Sequence, residues 1–340
     1  SADRAVGLCA GRIPNTHPPR QIDQQTIEFR QDCTPDRFAV VNWTGPHEVQ
    51  AARMRTTESV EEVRDLVAAA RRDSRRIGCV PTMGALHRGH TNLISSAVDD
   101  CQLVVVTLFV NSPQFDDPDD FHRYPRPLED DLATCQELGV DVVFAPDDQA
   151  VYPPGGQTTI DVGPLGRIFE GYHRPDHFLG VATVVVKLLN ITTPDVAYFG
   201  HKDFQQQLVI RRLCRDLHLP VEIVTCPTVR DSDGLALSSR NVLLAPDQRI
   251  VATSLFRALK RAEDGLNNSA GDLQTVRREL RDELGSTPGL DVDYATIVDA
   301  GTLEETDDVT ESMVALVAGS VGGVRLIDNL PLNTESALSP

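Results

Sequence analysis

The sequence predicts an α/β fold in which a parallel-sheet domain is followed by a smaller α+β domain. Short apolar runs alternate with segments whose apolar residues recur every three or four positions, as strands and crossover helices do in a parallel sheet. The run at 103–110 is almost entirely apolar, which is typical of a central strand buried on both faces. After Thr228 two helical segments precede three strands, and this succession favours a separate α+β unit.

Residues 1–58, 59–228 and 229–340 are predicted to form three regions. The first is rich in Pro, Arg, Gln and Asp without a sustained period, so we expect a poorly ordered N-terminal extension. The second is the parallel-sheet domain, in which ordered structure is expected to start at Ser59. The third begins near a polar loop at 230–234 and can close over the second as a lid.

The elements follow from local patterns. Ser59 and Glu62 match a capping box before a first helix with apolar residues from Val60 to Ala70. Later in the first domain we predict strands at 77–80, 103–110, 142–145, 195–199 and 221–226, and helices carrying Leu93, Ile94, Ala97 and Val98 and at 128–138, 177–190 and 204–217. In the second domain we predict helices near 248–262 and 272–284, and strands near 292–298, 313–317 and 324–328.

Acidic residues outnumber basic ones by 50 to 32, which gives a formal net charge of −18. This charge argues against nucleic acid or an anionic membrane as a partner, because both would be repelled. The basic residues are 29 arginines and three lysines, so a lysine inside a motif, such as Lys202, is informative. The length of 340 residues is sufficient for two domains with a cleft.

The cysteine and hydropathy patterns indicate neither export nor a membrane span. Seven cysteines occur without a C-x-x-C pair, which favours neither a structural zinc site nor a disulfide framework. The longest apolar run is much shorter than a membrane-spanning helix, and the N-terminus has no apolar segment typical of a secretion signal. We therefore expect a cytoplasmic enzyme.

The loop at 80–90 joins a predicted strand to a predicted helix and reads Val-Pro-Thr-Met-Gly-Ala-Leu-His-Arg-Gly-His. Free N–H groups and the helix dipole favour an anion at such a helix start, and glycines let the backbone approach it. Either His87 or His90 alone would be interpreted as a helix cap or a surface residue. Two imidazoles three residues apart, directly after a strand, favour phosphate binding.

The His-x-Gly-His pattern resembles the signature of the nucleotidyl-transferring α/β superfamily that includes class I aminoacyl-tRNA synthetases. The longer string at 81–90 is similar to that of the pantothenate synthetase family. Three further segments, at 109–126, 174–206 and 229–241, match the same family in order and in character. The resemblance implies a Rossmann-like, nucleotide-binding first domain; it does not cover residues 1–57.

The resemblance implies a two-step ligase reaction with ATP, pantoate and β-alanine as substrates. The pantoate carboxylate would attack the α-phosphorus of ATP and expel pyrophosphate, and the amine of β-alanine would then attack the acyl adenylate. Catalysis would consist of positioning and charge stabilisation without an enzyme nucleophile. Mg²⁺ bound mainly to the ATP phosphates is expected, and so is a homodimer.

The resemblance also implies a set of site residues. His90 would donate a proton to the developing charge and would act with His87, Lys202 and Arg240 as the catalytic group. Gln114, Gln206 and Met83 would fix pantoate and β-alanine, because an amide can both donate and accept hydrogen bonds. The ATP-binding residues would be Met83, Gly84, Ala85, Leu86, His87, Arg88, Gly89, His90, Gly200, His201, Lys202, Asp203, Val229, Leu237, Ser238, Ser239 and Arg240.

The acidic pair Asp130 and Asp131 has two interpretations. We expect both to be solvated surface residues, and the alternative is that they help a metal through water. No protein ligand of a metal is therefore predicted.

The sequence departs from the family pattern in three places. The loop reads Asn111-Ser112-Pro113-Gln114, so the proline lies one position later than in the family, and this affects how Gln114 is presented. His201 stands where Glu or Gln is usual, which would add a titrating group near the phosphates. Leu237 replaces a methionine of nearly equal volume.

Two other functions remain open at this stage. The first is a nucleotidyltransferase of the same superfamily that acts on another small acid or on a phosphate. The second is a catalytically silent ATP-binding regulator. The intact His87, His90, Lys202 and Arg240 argue against the silent protein, and the amides Gln114 and Gln206 argue against a phosphorylated substrate, which would call for more Arg or Lys.

Overall fold

The computed structural model describes residues 54–268, 272–310 and 312–333, and these belong to one compact unit. The proposed N-terminal extension therefore lies, up to residue 53, outside the described part of the chain. Cys9 and Cys33 fall in the same segment. The other five cysteines, at 79, 101, 135, 214 and 226, are buried free thiols.

The described residues include a six-stranded parallel sheet with the strand order β1-β4-β3-β2-β5-β6. Its strands are β1 Arg55–Thr57, β2 Ile77–Thr82, β3 Leu103–Leu108, β4 Val142–Phe144, β5 Val196–Gly200 and β6 Glu222–Cys226. The helices of this part are α1 Val60–Arg72, α2 Arg88–Asp100, α3 Pro118–Arg123, α4 Leu128–Glu137, α5 Asp148–Val151, α6 Glu170–His173, α7 His177–Thr192 and α8 Phe204–Asp216. The predicted α/β fold class is confirmed.

The prediction that ordered structure starts at Ser59 is wrong, because β1 precedes it and pairs with β4 at the edge of the sheet. The sequence Arg-Thr-Thr has no apolar alternation, and only Thr57 is buried. An edge strand of three residues needs little apolar character, since main-chain bonds to a single neighbour hold it. Ser59 does cap α1, accepting a hydrogen bond from the Glu62 N–H at 3.2 Å.

Buried side chains cover both faces of the sheet. Helices α1, α7 and α8 pack on one face around residues such as Val67, Val185 and Ile210, while α2 and α4 pack on the other around Ile94 and Cys135. All six residues of β3 are buried, as its uninterrupted apolar run predicts. None of the helices in the described part combines the length and the apolar composition of a membrane span.

The second part of the chain forms helices α9 Pro246–Ala252, α10 Ser254–Asn268 and α11 Leu273–Gly285 and an antiparallel sheet of β7 Asp291–Asp299, β8 Ser312–Val321 and β9 Val324–Asn333. The prediction of a single helix at 248–262 is wrong, because the helix is interrupted at Thr253, between α9 and α10. The Thr253 hydroxyl donates to the Ile250 carbonyl and the Ser254 hydroxyl to the Val251 carbonyl, which competes with regular helix bonds.

The antiparallel sheet packs on two sides. One side covers the cluster of α10 and α11 that contains Leu259 and Leu284. The other side, through Val314 and Leu316, packs against Phe204 at the start of α8. The predicted boundary near residue 228, and closure of the second part as a lid, stay predictions.

The strand order reverses next to β2. From β2 the chain proceeds to β3 and β4 on one side, whereas β5 and β6 lie on the other side. The loops that leave β2 and β5 therefore diverge, and such a reversal opens a crevice at the carboxyl ends of the strands where α/β proteins bind ligands. The segment 83–90, which we call the histidine loop, follows β2, and Lys202 follows β5.

Candidate active site

A cavity of about 250 Å³ lies at this crevice and is lined by residues of both sheets. His90 and Arg240, which are 150 positions apart in sequence, both line it. The predicted site residues that line the cavity are Met83, His87, Gly89, His90, Gln114, Gly200, Lys202, Asp203, Gln206, Val229, Leu237, Ser238, Ser239 and Arg240. The structure thus brings together fourteen of the residues that the sequence singled out.

Five predicted residues do not line the cavity: Gly84, Ala85, Leu86, Arg88 and His201. Arg88 is exposed and forms an ion pair with Asp231. His201 packs its ring against Phe204, at a centroid separation of 5.1 Å, instead of facing the cavity. The side chain of His201 therefore does not add a titrating group to the cavity wall.

The two histidines of the loop cap the helix after them. His87 is the N-cap of α2, and its Nδ1 accepts a hydrogen bond from the Gly89 N–H at 3.1 Å. The Nδ1 of His90 accepts from the His87 N–H at 3.4 Å, and the two rings stack with centroids 4.1 Å apart. A neutral imidazole that accepts at Nδ1 carries its proton at Nε2. Each ring therefore retains an Nε2–H donor for a ligand.

Both rings are neutral at pH 7 in the free protein. Burial, followed by the charges of His87 and Lys202, lowers the pKa of His90 to about 3. Burial and the charge of Lys202 also lower the pKa of His87. A bound triphosphate would act in the opposite direction, because nearby negative charge favours the imidazolium. The two imidazoles are therefore neutral hydrogen-bond donors in the free protein, and nucleotide binding would raise their pKa values.

These shifts predict a loss of stability in acid. The unfolded chain protonates this ring below its ordinary pKa of 6.5, whereas folded His90 does not until the pH is near 3. The free energy of unfolding therefore falls as the pH drops below 6.5, and His90 should contribute about 2 kcal/mol of this loss by pH 5. Urea denaturation of the wild type and of His90→Gln at pH 7.5 and pH 5 measures this contribution. An identical acid loss in both proteins would contradict it.

The loop before His87 has an unusual backbone. Gly84 and Ala85 both have positive φ, +77° and +51°, and the left-handed conformation costs a non-glycine residue about 1–2 kcal/mol. The N–H groups of Ala85 and Leu86 donate to the two carboxylate oxygens of Asp131 at 2.8 and 2.7 Å. Asp131 thus already accepts the main-chain N–H groups of two residues that were predicted to bind ATP.

Asp131 also corrects the interpretation of the acidic pair. It is only 4% exposed and lies in the first turn of α4, whereas Asp130 beside it is exposed. The expectation of a solvated surface residue holds for Asp130 and is wrong for Asp131. No local pattern distinguishes the two residues, since the partners of Asp131 are 45 and 46 positions away.

Another part of the cavity wall carries cationic side chains. The Nζ of Lys202 lies 3.7 Å from an oxygen of Asp203, and its side chain is 19% exposed. Arg240 donates to Asp120 on α3 at 2.7 Å. The Ser238 hydroxyl accepts the Arg240 N–H at 3.2 Å, and the Ser239 hydroxyl donates to the Tyr124 hydroxyl at 3.3 Å.

The second sheet supports this wall through Asn329 on β9. Its side-chain amide donates to the main-chain carbonyls of His201 and Lys202 at 3.0 and 2.7 Å. Asn329 is 2% exposed and also lines the cavity. It was not singled out from the sequence, because a single asparagine in a strand carries no motif. Its position becomes informative only once the two sheets are known to meet at this turn.

Amide groups line a third part of the cavity. The Gln114 side chain donates to the Met83 sulfur at 3.0 Å and accepts from Asn111 at 3.1 Å. Residues Ser112–Gln114 form a 3₁₀ turn that includes Pro113, and α7 packs so closely on it that a Cβ on Gly180 would lie 2.6 Å from main-chain atoms of Pro113 and Gln114. The shifted proline is thus accommodated, and Gln114 still faces the cavity.

Several cavity residues were not predicted individually. Arg174 and His177 both hydrogen-bond to the Gln114 carbonyl at 3.0 Å and belong to the matched segment at 174–206. Glu170 accepts two hydrogen bonds from Arg325 of β9, both at 2.7 Å, and one from Tyr294 of β7 at 2.8 Å. These contacts join α6 to the antiparallel sheet beside the cavity, which Glu170 and Tyr294 both line.

Comparison with known proteins shows extensive similarity. The pantoate-β-alanine ligase family model matches residues 55–331. The chain is 46% identical over 282 residues to pantothenate synthetase of Moorella thermoacetica, a match that covers 83% of this chain and 100% of the relative. It is 50% identical over 281 residues to pantothenate synthetase of Nocardioides sp., covering 80% and 83% respectively.

Two solved structures extend the comparison. Pantothenate synthetase from Thermus thermophilus aligns with a TM-score of 0.78 and 46% identity, over 82% of this chain and 100% of the other. Pantoate-β-alanine ligase from Francisella tularensis, complexed with β-γ ATP and β-alanine, aligns with a TM-score of 0.67 and 34% identity, over 82% and 97%.

Proposed function

This chain belongs to the pantoate-β-alanine ligase family and catalyses the ATP-dependent condensation of pantoate with β-alanine; we propose that the reaction runs through a pantoyl adenylate held in the 250 Å³ cavity. One observation carries this proposal. The two imidazoles of one loop and the Lys202, Ser238, Ser239 and Arg240 side chains of other segments line the same cavity.

In the first proposed step a carboxylate oxygen of pantoate attacks the α-phosphorus of ATP, and the bond to pyrophosphate breaks. Negative charge then develops on the phosphoryl oxygens and on the leaving group. The Nε2–H donors of His87 and His90 and the ammonium of Lys202 are suited to stabilise this charge. Because no covalent bond to the protein forms, the residues act by binding and orientation.

In the second proposed step the amine of β-alanine attacks the acyl carbon of the adenylate. The amide bond forms as the bond to AMP breaks, and the amine loses a proton. The cavity must therefore retain the adenylate until the second substrate arrives. The loop of Ser238, Ser239 and Arg240 is suited to this role, since it supplies two hydroxyls and a guanidinium to a phosphate.

The amides favour pantoate over a phosphorylated substrate. Gln114 and Gln206 offer both donors and acceptors, which match a carboxylate and hydroxyls. A phosphorylated substrate would require further Arg or Lys beyond those assigned to ATP. The same ground disfavours the alternative nucleotidyltransferase where its substrate is a phosphate, whereas the exchange experiment below tests other acids.

Mg²⁺ enters the proposal as the ion that accompanies ATP. Across 54–268, 272–310 and 312–333, no group of three or more His, Cys, Asp or Glu could hold a metal. Both oxygens of Asp131 already accept main-chain N–H groups. The proposal therefore gives the ion phosphate and water ligands, which Mg²⁺ prefers to a dedicated protein cage.

A homodimer and a cytoplasmic location complete the proposal. The dimer is supported by the family resemblance. Sedimentation velocity tests it, and a mass equal to that of one chain would contradict the proposed dimer. The cytoplasmic location is supported by the buried free thiols of the described cysteines.

The exchange of pyrophosphate into ATP tests the proposed route. We expect pantoate to drive this exchange without β-alanine, because adenylation comes first and leaves a bound intermediate. Radiolabelled pyrophosphate is incubated with ATP and a panel of hydroxy acids, and label in ATP is counted. Exchange that strictly requires β-alanine would contradict the order of steps. Faster exchange with another acid would support the alternative nucleotidyltransferase.

A further inference from the structure

The loop Gly84–Leu86 has a conformation that the local sequence does not favour. Two consecutive residues have positive φ, and the second, Ala85, has a side chain. Such backbone persists only where surrounding groups hold it. In this protein the loop connects β2 directly to His87, the N-cap of α2. Whatever holds the loop therefore also sets the direction in which α2 and its capping imidazoles begin.

Asp131 is the group that holds the loop. Its two oxygens accept the N–H groups of Ala85 and Leu86 at 2.8 and 2.7 Å, so one carboxylate fixes two consecutive peptide units. The approach is close enough that a Cβ on Gly84 would lie 2.8 Å from an Asp131 oxygen. Glycine at position 84 is thus required both by its φ of +77° and by the carboxylate beside it.

Asp131 does not itself face the substrates. It is 4% exposed, it is absent from the cavity wall, and it reaches the loop from α4. Because the N–H groups of Ala85 and Leu86 are occupied, they cannot also bind the triphosphate. The donors left for the triphosphate are then the imidazoles of His87 and His90, farther along the chain. The orientation of these rings depends on the conformation of the loop.

We propose that Asp131 is a positioning residue of the ligase, whose carboxylate holds the Gly84–Leu86 loop in the strained conformation that aims the imidazoles of His87 and His90 at the triphosphate. This inference rests on the proposed function and deepens it. It also assigns the buried carboxylate a partner other than a metal ion.

A carboxylate is needed because both acceptor positions are used. Asparagine retains one oxygen and places an NH₂ group against the other main-chain N–H, so Asp131→Asn loses one hydrogen bond and creates a donor-donor contact. Asp130→Asn is the matched control. It makes the same charge change at the neighbouring position, where the side chain is exposed and hydrogen-bonds to none of the described residues.

The test compares these two variants in the full-length protein. We expect Asp131→Asn to lower the rate of pantoate-dependent pyrophosphate exchange by about 100-fold, as a small misplacement of catalytic groups does. The KM for pantoate should change less than about threefold, because Gln114 and Gln206 lie on other segments and Met83 precedes the residues that Asp131 holds. Asp130→Asn should stay within about twofold of the wild type.

Rescue separates positioning from general stability. Ala85→Gly removes the cost of a side chain at positive φ, so the double variant Asp131→Asn, Ala85→Gly should recover part of the lost rate. Equal losses in the two Asn variants, or recovery at raised Mg²⁺ concentration, would overturn the proposal in favour of a metal role for the pair. A rate loss that tracks the melting temperature, without rescue, would overturn it in favour of a purely structural role.

Failure of the proposed function would be distinguishable. If the wild type shows no pantoate-dependent exchange, the proposed function fails. The affinity of Asp131→Asn and Asp130→Asn for a non-hydrolysable ATP analogue can then still be compared by calorimetry. Weaker binding only in the Asp131 variant would support the positioning role, and equal binding would overturn it.

Discussion

Replacement of His90 by alanine is expected to reduce pantoate-dependent pyrophosphate exchange by about 10³-fold. The variant lacks one of the two Nε2–H donors that we propose stabilise the transferring phosphoryl group, and the loss of one such donor costs about 10²–10³ in rate. It also lacks the acceptor of the His87 N–H, which leaves the neighbouring imidazole less well oriented. Steady-state exchange at saturating ATP and pantoate measures this effect.

The fold should tolerate this change. The lost hydrogen bond is long, at 3.4 Å, so we expect the free energy of unfolding at pH 7.5 to fall by about 1 kcal/mol. His122→Ala is the control, because His122 is an exposed histidine outside the cavity. A large fall in the melting temperature of His90→Ala, with a proportional loss of activity, would show that the ring stabilises the fold and does not act in the reaction.

Replacement of Lys202 by methionine is expected to lower exchange by about 10²-fold or more and to raise the KM for ATP. Methionine retains most of the apolar stem but cannot offer charge to a phosphate, and hydrogen bonds to charged groups are the strong ones. The same change should raise the pKa of His90, since burial and the charges of His87 and Lys202 lower it. Exchange kinetics and NMR titration of the histidines measure the two effects.

The matched control is Lys187→Met. Lys187 lies over the Tyr152 ring, 5.1 Å from its centroid, and does not line the cavity. We expect this variant to exchange pyrophosphate at nearly the wild-type rate. Similar losses in both variants would indicate that bulk charge, rather than a phosphate contact of Lys202, supports the reaction.

Elements that depend on local pattern could be predicted. The uninterrupted apolar run of β3 and the capping serine of α1 are properties of short segments, and the structure contains both elements within a few residues of the predicted positions. The histidine loop was identified for the same reason, since its strand, glycines and imidazoles are contiguous. Convergence of this loop with Lys202 and Arg240 needed the family resemblance, because no local rule brings distant segments together.

Features that depend on long-range contacts could not be predicted. Asp131 resembles Asp130 in sequence, and only the packing of α4 beneath the histidine loop distinguishes the buried carboxylate from the exposed one. Asn329 becomes significant through its two bonds to the turn before α8. The edge strand β1 lacks an apolar pattern because only Thr57 enters the core.

The triphosphate itself provides the most direct test of the central claim that the two walls of the cavity hold one nucleotide. A crystal structure of the protein with pantoate and a non-hydrolysable ATP analogue would locate the phosphates. We expect Nε2 of His90 and a guanidinium nitrogen of Arg240 each to lie within about 3.2 Å of phosphate oxygens of the same molecule, with Arg240 drawn from its contact with Asp120. A nucleotide whose phosphates contact neither His90 nor Arg240 would contradict the account.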